Sequence, residues 1–397
     1  MFFRDVVGQK EVKERLIRSV KEERVSHALM LSGQEGSGAF NLAFAFAQYV
    51  SCRNRGEDDS CGTCPSCHKY LKMIHPDLHF VFPVVPVKKG SRDSATQTGS
   101  NEEGAKKIKE PTSDDFIREW REFVLNRSYF TLNGWLSYLE SEKSQGLIYT
   151  RESDLILRKL SLKSFEAEYK VMIIWLPERM HISCANKLLK LLEEPPAKTL
   201  FLLVTENEEQ IIGTIRSRSQ LIRVPAIDDE SLRQALEAMD GVTSEMAEEA
   251  ANLASGNYIK ALECLYPDED SAMFFARLQE MMRFAWGVRS DGGKVLELVR
   301  WAEDMAGLGR ERQKNFFEFS LRLIREYFVM NLKNEALVRL NSKEREWGMK
   351  FSPYINERNI IPVSREFEAS YKHISMNGNP KIIFLDTALR MVKLVRP

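Results

Sequence analysis

The sequence has no excess of charge of either sign and no apolar run approaching the roughly 18 residues that predict a membrane-spanning helix. Lysine plus arginine number 57, as do aspartate plus glutamate, so the formal net charge is zero. Overall charge therefore gives no indication of a protein that binds nucleic acid by itself. The first residues are charged and lack the apolar stretch of a secretory signal. We expect a soluble, cytoplasmic protein with no membrane partner.

Cysteine is also scarce, and four of the six cysteines crowd into one segment. The spacing C-x8-C-x2-C-x2-C is formed by Cys52, Cys61, Cys64 and Cys67. In a reducing compartment, clustered thiols indicate a metal rather than disulfides. Four thiolates around a tetrahedral ion form a closed structural zinc site without a position for catalytic water. The alternative is four reduced thiols in a loop. The isolated Cys184 and Cys264 are predicted to be buried thiols.

Apolar segments with the length of strands alternate with helical patterns through the first half of the chain. Strands are predicted at 24–33, 170–175 and 199–205, and helices at 39–50 and 185–194. Near-continuous apolar strands are typical of parallel sheets covered on both faces, so the pattern predicts an α/β fold. On the second helix, one face is expected to carry Ala185, Leu188, Leu189 and Leu192.

From about residue 228 the pattern is helical, and the length of 397 residues predicts more than one domain. We predict a core at 1–227, a small helical module at 228–268 and an all-helical domain at 269–397. The polar segment 88–113 is predicted to be partly disordered. After it, Thr112 and Asp115 have capping-box spacing ahead of an apolar stripe, which predicts an amphipathic helix.

The stretch GQEGSGAF has the glycine spacing of a phosphate-binding loop, with Gly33, Gly36 and Gly38. A working loop places a lysine and then a serine or threonine where this chain has Ala39 and Phe40. Alanine cannot supply the cation and phenylalanine cannot bind magnesium. The stretch is therefore either the vestige of a nucleotide site or a glycine-rich turn without that ancestry.

Further motifs surround this loop in a fixed order. They are VVGQ (6–9), SHALMLSG (26–33), HPDL (75–78), YKVMIIW (169–175), ANKLLKLLEEPP (185–196), LFLLVTEN (200–207) and TIRSRSQ (214–220). Together they resemble the bacterial clamp-loader AAA+ family, which includes the γ/τ and delta-prime subunits of DNA polymerase III. The resemblance covers roughly residues 1–265, and NPKIIFLDTALRMV (379–392) extends it more loosely.

The resemblance implies that three parts of an ATPase site are missing. The acidic Walker B pair of active members would stand at Trp175 and Leu176, and their sensor arginine near Ile259. With Ala39 and Phe40, these losses favour a vestigial loop, and no productive binding of ATP and magnesium is expected.

Arg218 in TIRSRSQ matches the arginine that family members insert into the ATP site of a neighbouring subunit, with Ser219 in place of a cysteine. A guanidinium can stabilise charge on a transferring phosphoryl group in trans. The alternative is an ordinary exposed arginine, as for Arg216.

The resemblance further implies a zinc module at about 52–67, an insertion at about 84–148, a lid at 228–268 and an oligomerising collar at 269–397. The delta-prime type fits best: a non-ATPase subunit of the DNA polymerase III holoenzyme, in a ring with γ/τ and delta subunits, that helps to load the sliding clamp onto primed DNA. An active γ/τ-type ATPase and a zinc-dependent DNA-binding module remain alternatives. The insertion, with Trp120 and Trp135, is expected either to pack on the core or to meet a partner.

Overall fold

The structure, a computed structural model, describes residues 1–86, 110–141, 144–266, 269–288, 290–332 and 337–395. The chain forms two compact units. The first unit comprises Met1–Met239 and Ser255–Ile259, and the second comprises Asp240–Ala254 and Lys260–Pro397. The division into core, lid and collar at 228 and 269 stays a prediction.

The first unit contains a five-stranded sheet in the order β2-β3-β4-β1-β5, and every pair of neighbours is parallel. The strands are β1 Ala28–Gly33, β2 Leu78–Val81, β3 Lys170–Trp175, β4 Thr199–Thr205 and β5 Gln220–Val224. In β1, which lies between β4 and the edge strand β5, Leu31 pairs with Val204 on one side and Ile222 on the other. The predicted parallel α/β core is confirmed.

Nine helices accompany this sheet in the described part of the first unit. They are α1 Lys10–Lys21, α2 Ala39–Ser51, α3 Pro65–Leu71, α4 Ile117–Leu125, α5 Leu132–Tyr138, α6 Thr150–Ser161, α7 Ile182–Glu193, α8 Gly213–Arg216 and α9 Asp229–Glu237. Residues from α1 to α8 contribute to the apolar clusters on both faces of the sheet. Side chains of β1 alternate between two apolar clusters: Leu29 and Leu31 pack in the cluster that includes α2, and Ala28 and Met30 in the cluster that includes α7. The predicted inner face of α7 is buried at Ala185, Leu188 and Leu192 and half-buried at Leu189.

The insertion packs on the core of the first unit. Its predicted capping box forms, with the Thr112 N–H donating to Asp115 Oδ2 at 2.8 Å. In α4, Trp120 is fully buried and stacks on Phe82 with 4.2 Å between ring centroids. Of the segment predicted to be partly disordered, 88–109 lies outside the described residues, whereas 111–113 is buried.

The described elements of the second unit are helical: α10 Ser244–Ala254, α11 Tyr258–Leu265, α12 Glu269–Gly287, α13 Lys294–Ala306, α14 Arg310–Asn331, α15 Ser342–Phe351, α16 Ile360–Ser375 and α17 Pro380–Leu394. Tyr258 and Ile259 of α11 belong to the first unit. Aromatic side chains fill the core, among them Trp301, Phe316, Phe317 and Phe384. Within the described ranges, no helix has the length and apolarity needed to cross a membrane.

Candidate functional site

The glycine loop connects β1 to α2 with the backbone shape that its glycines permit. Gly36 and Gly38 have φ angles of 74° and 86°, in the left-handed region, and Gly38 is the N-cap of α2. A Cβ atom at Gly36 would lie 1.9 Å from Asn257 Oδ1, so a side chain there would displace the Asn257 side chain. The predicted strand, loop and helix are therefore present in the order of a phosphate loop.

Aromatic side chains stand at the two positions, Phe40 and Trp175, where the family resemblance predicts the magnesium ligands of an active ATPase. The Phe40 ring lies 5.8 Å from Trp120 and 5.0 Å from Phe130, measured between centroids. Trp175, at the predicted Walker B position, lies 5.1 Å from Trp120 and 5.2 Å from Phe130. Phe40 and Trp175 thus pack against the same two side chains of the insertion. Neither the phenylalanine nor the tryptophan can bind a metal ion.

Three residues of the insertion, Ser128–Phe130, lie against the glycine loop. Asn41 Nδ2 donates a hydrogen bond to the Ser128 carbonyl oxygen at 2.7 Å, and the Val7 N–H donates to the Tyr129 hydroxyl at 3.0 Å. A Cβ atom added to Gly38 would lie 3.2 Å from the Tyr129 side chain. Burial raises the pKa of Tyr129 to about 12, despite the opposing Val7 N–H, so the phenol is neutral at physiological pH.

The cavity at the loop offers no positive charge to a phosphate. Its lining combines loop residues with Tyr129, Phe130 and Trp175, and its acidic members are Glu35 and Glu206. Burial, together with the nearby carboxylates of Glu35 and Glu178, raises the pKa of Glu206 to about 8. No lysine or arginine lines it in the part of the chain that the structure describes. Sequence reasoning predicted the loss of the cation but missed the aromatic residues from the insertion.

The four clustered cysteines converge as their spacing predicted. Their Sγ atoms all lie within 4.8 Å of one another, at 3.5 Å for Cys52 and Cys61, 4.0 Å for Cys52 and Cys64, and 3.9 Å for Cys61 and Cys67. Sulfurs bound tetrahedrally at about 2.3 Å from zinc would be about 3.8 Å apart. The group can therefore hold a metal ion, with geometry compatible with structural zinc.

Backbone N–H groups support the sulfur atoms. Cys61 N–H donates to Cys52 Sγ, Cys64 N–H to Cys61 Sγ and Cys67 N–H to Cys64 Sγ, at 3.3 to 3.5 Å. Burial raises the pKa of Cys61, but the N–H groups of Cys64 and Thr63 outweigh it and lower the pKa to about 6. Burial raises the pKa of Cys52 and Cys67. The N–H groups thus favour a thiolate, the form that binds metal, at Cys61.

The two remaining cysteines differ in exposure. Cys184 is buried on α7, as predicted, whereas Cys264 on α11 is exposed, so the prediction of a second buried thiol is wrong. Ala261 and Leu265 are the buried residues of α11. Helical periodicity alone did not identify which side of that helix packs.

Arg218 follows α8 and does not line the cavity at the glycine loop. Its Nη2 lies 2.6 Å from Glu193 Oε1, at the end of α7, and its Nη1 donates to the Thr214 carbonyl oxygen at 3.0 Å. The side chain is 34% exposed. Ser219 donates through its hydroxyl to the Ile215 carbonyl oxygen at 2.9 Å. Arg218 Nη1 also donates to Ser217 Oγ at 3.4 Å, so three partners orient the guanidinium while part of the side chain faces solvent.

Comparisons with known proteins place the chain in a family. The sequence profile described as DNA polymerase III, delta subunit matches residues 8–228. Among relatives, the delta' subunit of DNA polymerase III from Bacillus subtilis (strain 168) is 23% identical over 359 residues, which are 85% of this chain and 90% of that protein.

Two shorter alignments agree with this result. The delta' subunit from Escherichia coli (strain K12) is 25% identical over 52% of this chain and 45% of that protein. The tau subunit from Bacillus subtilis (strain 168) is 26% identical over 55% of this chain, and the alignment covers 28% of that longer relative. The chain belongs to the DNA polymerase III delta subunit family, and the prediction of a delta-prime-type clamp-loader subunit is confirmed.

Proposed function

We propose that this chain works in a clamp loader as a subunit that hydrolyses no ATP and that extends Arg218 into the ATP site of a neighbouring γ/τ-type subunit. The observation that supports the absence of ATP hydrolysis is the cluster of aromatic side chains at the glycine loop. Phe40 and Trp175 stand where magnesium ligands are needed, and Phe130 packs against both.

Simple electrostatics indicate how much the missing lysine matters. A cation about 4 Å from a phosphate oxygen contributes roughly 4 kcal/mol at an effective dielectric near 20. Each 1.4 kcal/mol is about tenfold in affinity, so losing that contribution moves a micromolar site towards roughly millimolar. Hydrolysis would suffer further, because no side chain at Trp175 or Leu176 can hold magnesium or accept a proton from water.

Arg218 suits a role in the site of a neighbouring subunit because it does not line the cavity at the glycine loop of its own chain. A guanidinium keeps its charge at any physiological pH and binds phosphate oxygens through paired N–H groups. Glu193 and Thr214 orient the side chain while about one third of it remains exposed. The Arg218 side chain can therefore contact a partner subunit without a change in the backbone around it.

We assign the four-cysteine group to structural zinc. Cys52, Cys61, Cys64 and Cys67 would bind the ion and leave no position for water, so the ion would stabilise the segment around α3 and take no part in catalysis. The partners are γ/τ and delta subunits, and through their assembly the sliding clamp and primed DNA. The cytoplasm is the expected location.

The test is reconstitution with γ/τ and delta subunits, comparing the clamp-stimulated ATP turnover of complexes that carry wild type or Arg218→Ala. We expect turnover to fall clearly, because an arginine finger is worth roughly 10³-fold or more at the site that it serves. Arg216→Ala, an exposed arginine two positions away, is the matched control and should leave turnover unchanged. Normal assembly with unchanged turnover for Arg218→Ala would remove Arg218 from the mechanism.

A further inference from the structure

The segment Ser128–Phe130 contacts three separate stretches that meet at the glycine loop. At the N-terminal side, the Val7 N–H donates to the Tyr129 hydroxyl. At the loop and the start of α2, Tyr129 covers Gly38 and the Ser128 carbonyl oxygen accepts from Asn41. At the third stretch, the Tyr129 ring lies 4.4 Å from the Tyr258 ring, between centroids.

These stretches are also joined to one another directly. The Tyr258 N–H donates to the Gly36 carbonyl oxygen at 3.2 Å, and Gln9 Nε2 donates to the Ser37 carbonyl oxygen at 3.1 Å. The loop is therefore hydrogen-bonded to the N-terminal stretch and to Ser255–Ile259. The Tyr129 side chain contacts all three of these stretches. Removal of this one side chain takes away a contact with each.

We propose that Ser128–Phe130 is the permanent internal occupant of the degenerate site, and that it holds the N-terminal stretch, the loop and Ser255–Ile259 together without any nucleotide. This inference rests on the proposed function only in taking the loop to be vestigial. The occupant is part of the same chain, so its effective concentration is high and does not vary with ATP. The position of Ser255–Ile259 on the loop is consequently independent of nucleotide.

The ring and the hydroxyl of Tyr129 make different contacts, so mutation can separate their contributions. An aromatic pair contributes beyond its buried area, and each hydrogen bond adds a further increment. Tyr129→Ala removes the ring and the hydroxyl together. Tyr129→Phe removes only the acceptor of the Val7 N–H and keeps the ring contact with Tyr258.

Hydrogen exchange on the full chain, read by mass spectrometry, tests the proposal. In Tyr129→Ala, peptides covering Gly33–Asn41 and Ser255–Ile259 should exchange about tenfold faster than in wild type. In Tyr129→Phe, the acceleration should be confined to the peptide that contains Val7. Saturating ATP with magnesium should leave the wild-type pattern unchanged, because Tyr129 and Phe130 already line the cavity at the loop and no lysine or arginine of the described residues does.

Tyr138→Ala is the matched control, since Tyr138 is a half-buried tyrosine of the same insertion that packs on Trp135 and Phe123 and does not line the cavity. Acceleration of both peptides to the same extent in Tyr138→Ala would overturn the proposal, as would unchanged exchange in Tyr129→Ala or protection of the loop by ATP. The measurement needs no partner subunit. Its failure is therefore distinct from a failure of Arg218→Ala to change ATP turnover.

Discussion

Arg218 and Glu193 form an ion pair in which the guanidinium Nη2 lies 2.6 Å from the carboxylate Oε1. The pair links the last residue of α7 to the residue that follows α8 by two positions, so two separate motifs of the sequence, ANKLLKLLEEPP and TIRSRSQ, meet in one contact. Both side chains are partly exposed, at 34% and 48%. The contact therefore orients the arginine more than it stabilises the fold.

Replacing this carboxylate by an amide tests whether orientation matters. We expect Glu193→Gln to lower clamp-stimulated ATP turnover of the reconstituted complex by less than about fivefold, because exposed ion pairs contribute about 0 to 1 kcal/mol and Thr214 still accepts from Arg218. The loss should lie in kcat with KM for ATP unchanged, and Glu193→Asp should recover part of it. A loss as large as that of Arg218→Ala would contradict this limited role.

Metal analysis tests the assignment of the cysteine group. The purified chain should contain one zinc ion, and Cys64→Ser should lose it and melt at a lower temperature, because binding free energy at such a site is also folding free energy. Cys264→Ser is the control, since this exposed cysteine lies outside the group and its replacement should leave the zinc content unchanged. Equal zinc loss in both variants would refute the assignment.

Restoring the missing residues of the glycine loop should not restore an ATPase. Ala39→Lys with Phe40→Thr rebuilds the local motif, but Trp175 and the Tyr129 segment remain. We expect no ATP turnover, together with a loss of about 3 kcal/mol in the free energy of unfolding, because the Phe40 side chain is 6% exposed and packs on Trp120 and Phe130. Ala39→Lys alone isolates the effect of the cation. Magnesium-dependent turnover in the double variant would contradict this prediction, because it would show that only the residues at positions 39 and 40 prevent ATP hydrolysis.

Glu152 predicts a pH dependence of stability. The residue is 1% exposed, and Oε2 accepts from the Ser113 N–H at 2.8 Å. Burial, partly offset by that N–H, raises the pKa of Glu152 from 4.5 to about 7. Between these values the folded chain binds more protons than the unfolded chain, so the contribution of this group to the free energy of unfolding falls as pH rises.

The expected loss is about 3 kcal/mol between pH 4.5 and 7, fully developed above pH 7. Glu152→Gln should therefore gain stability relative to wild type on going from pH 5 to pH 8, measured by chemical denaturation. Asp154→Asn, which removes an exposed carboxylate of the same helix, should show no such gain. A constant difference between Glu152→Gln and wild type at the two pH values would refute the prediction.

The sequence was most informative where the signal is local. Strands β3 and β4 coincide with the predicted segments because their residues are apolar along nearly their whole length. The sulfur cluster follows from cysteine spacing alone. Strand β5 went unpredicted because exposed Gln220 and Arg223 interrupt its apolar pattern at the edge of the sheet.

The occupant of the glycine loop could not be predicted in the same way. Tyr129 meets Gly38 and Tyr258 across long stretches of chain, and the residues around it carry no glycine, cysteine or charge pattern that indicates such a contact. Its effect depends on where the insertion folds back, which is a property of tertiary packing. The sequence therefore indicated which residues of a phosphate-binding loop are absent, but it did not indicate that Tyr129 packs against Gly38.

The most direct test of the account is ATP turnover by the purified chain alone, in magnesium and at millimolar ATP. Position 39 is alanine instead of lysine, Phe40 and Trp175 cannot bind magnesium, and Tyr129 and Phe130 line the cavity at the loop. We therefore predict a rate of ATP turnover indistinguishable from the background without protein. Turnover that rises with protein concentration and disappears on chelating magnesium would contradict the central claim.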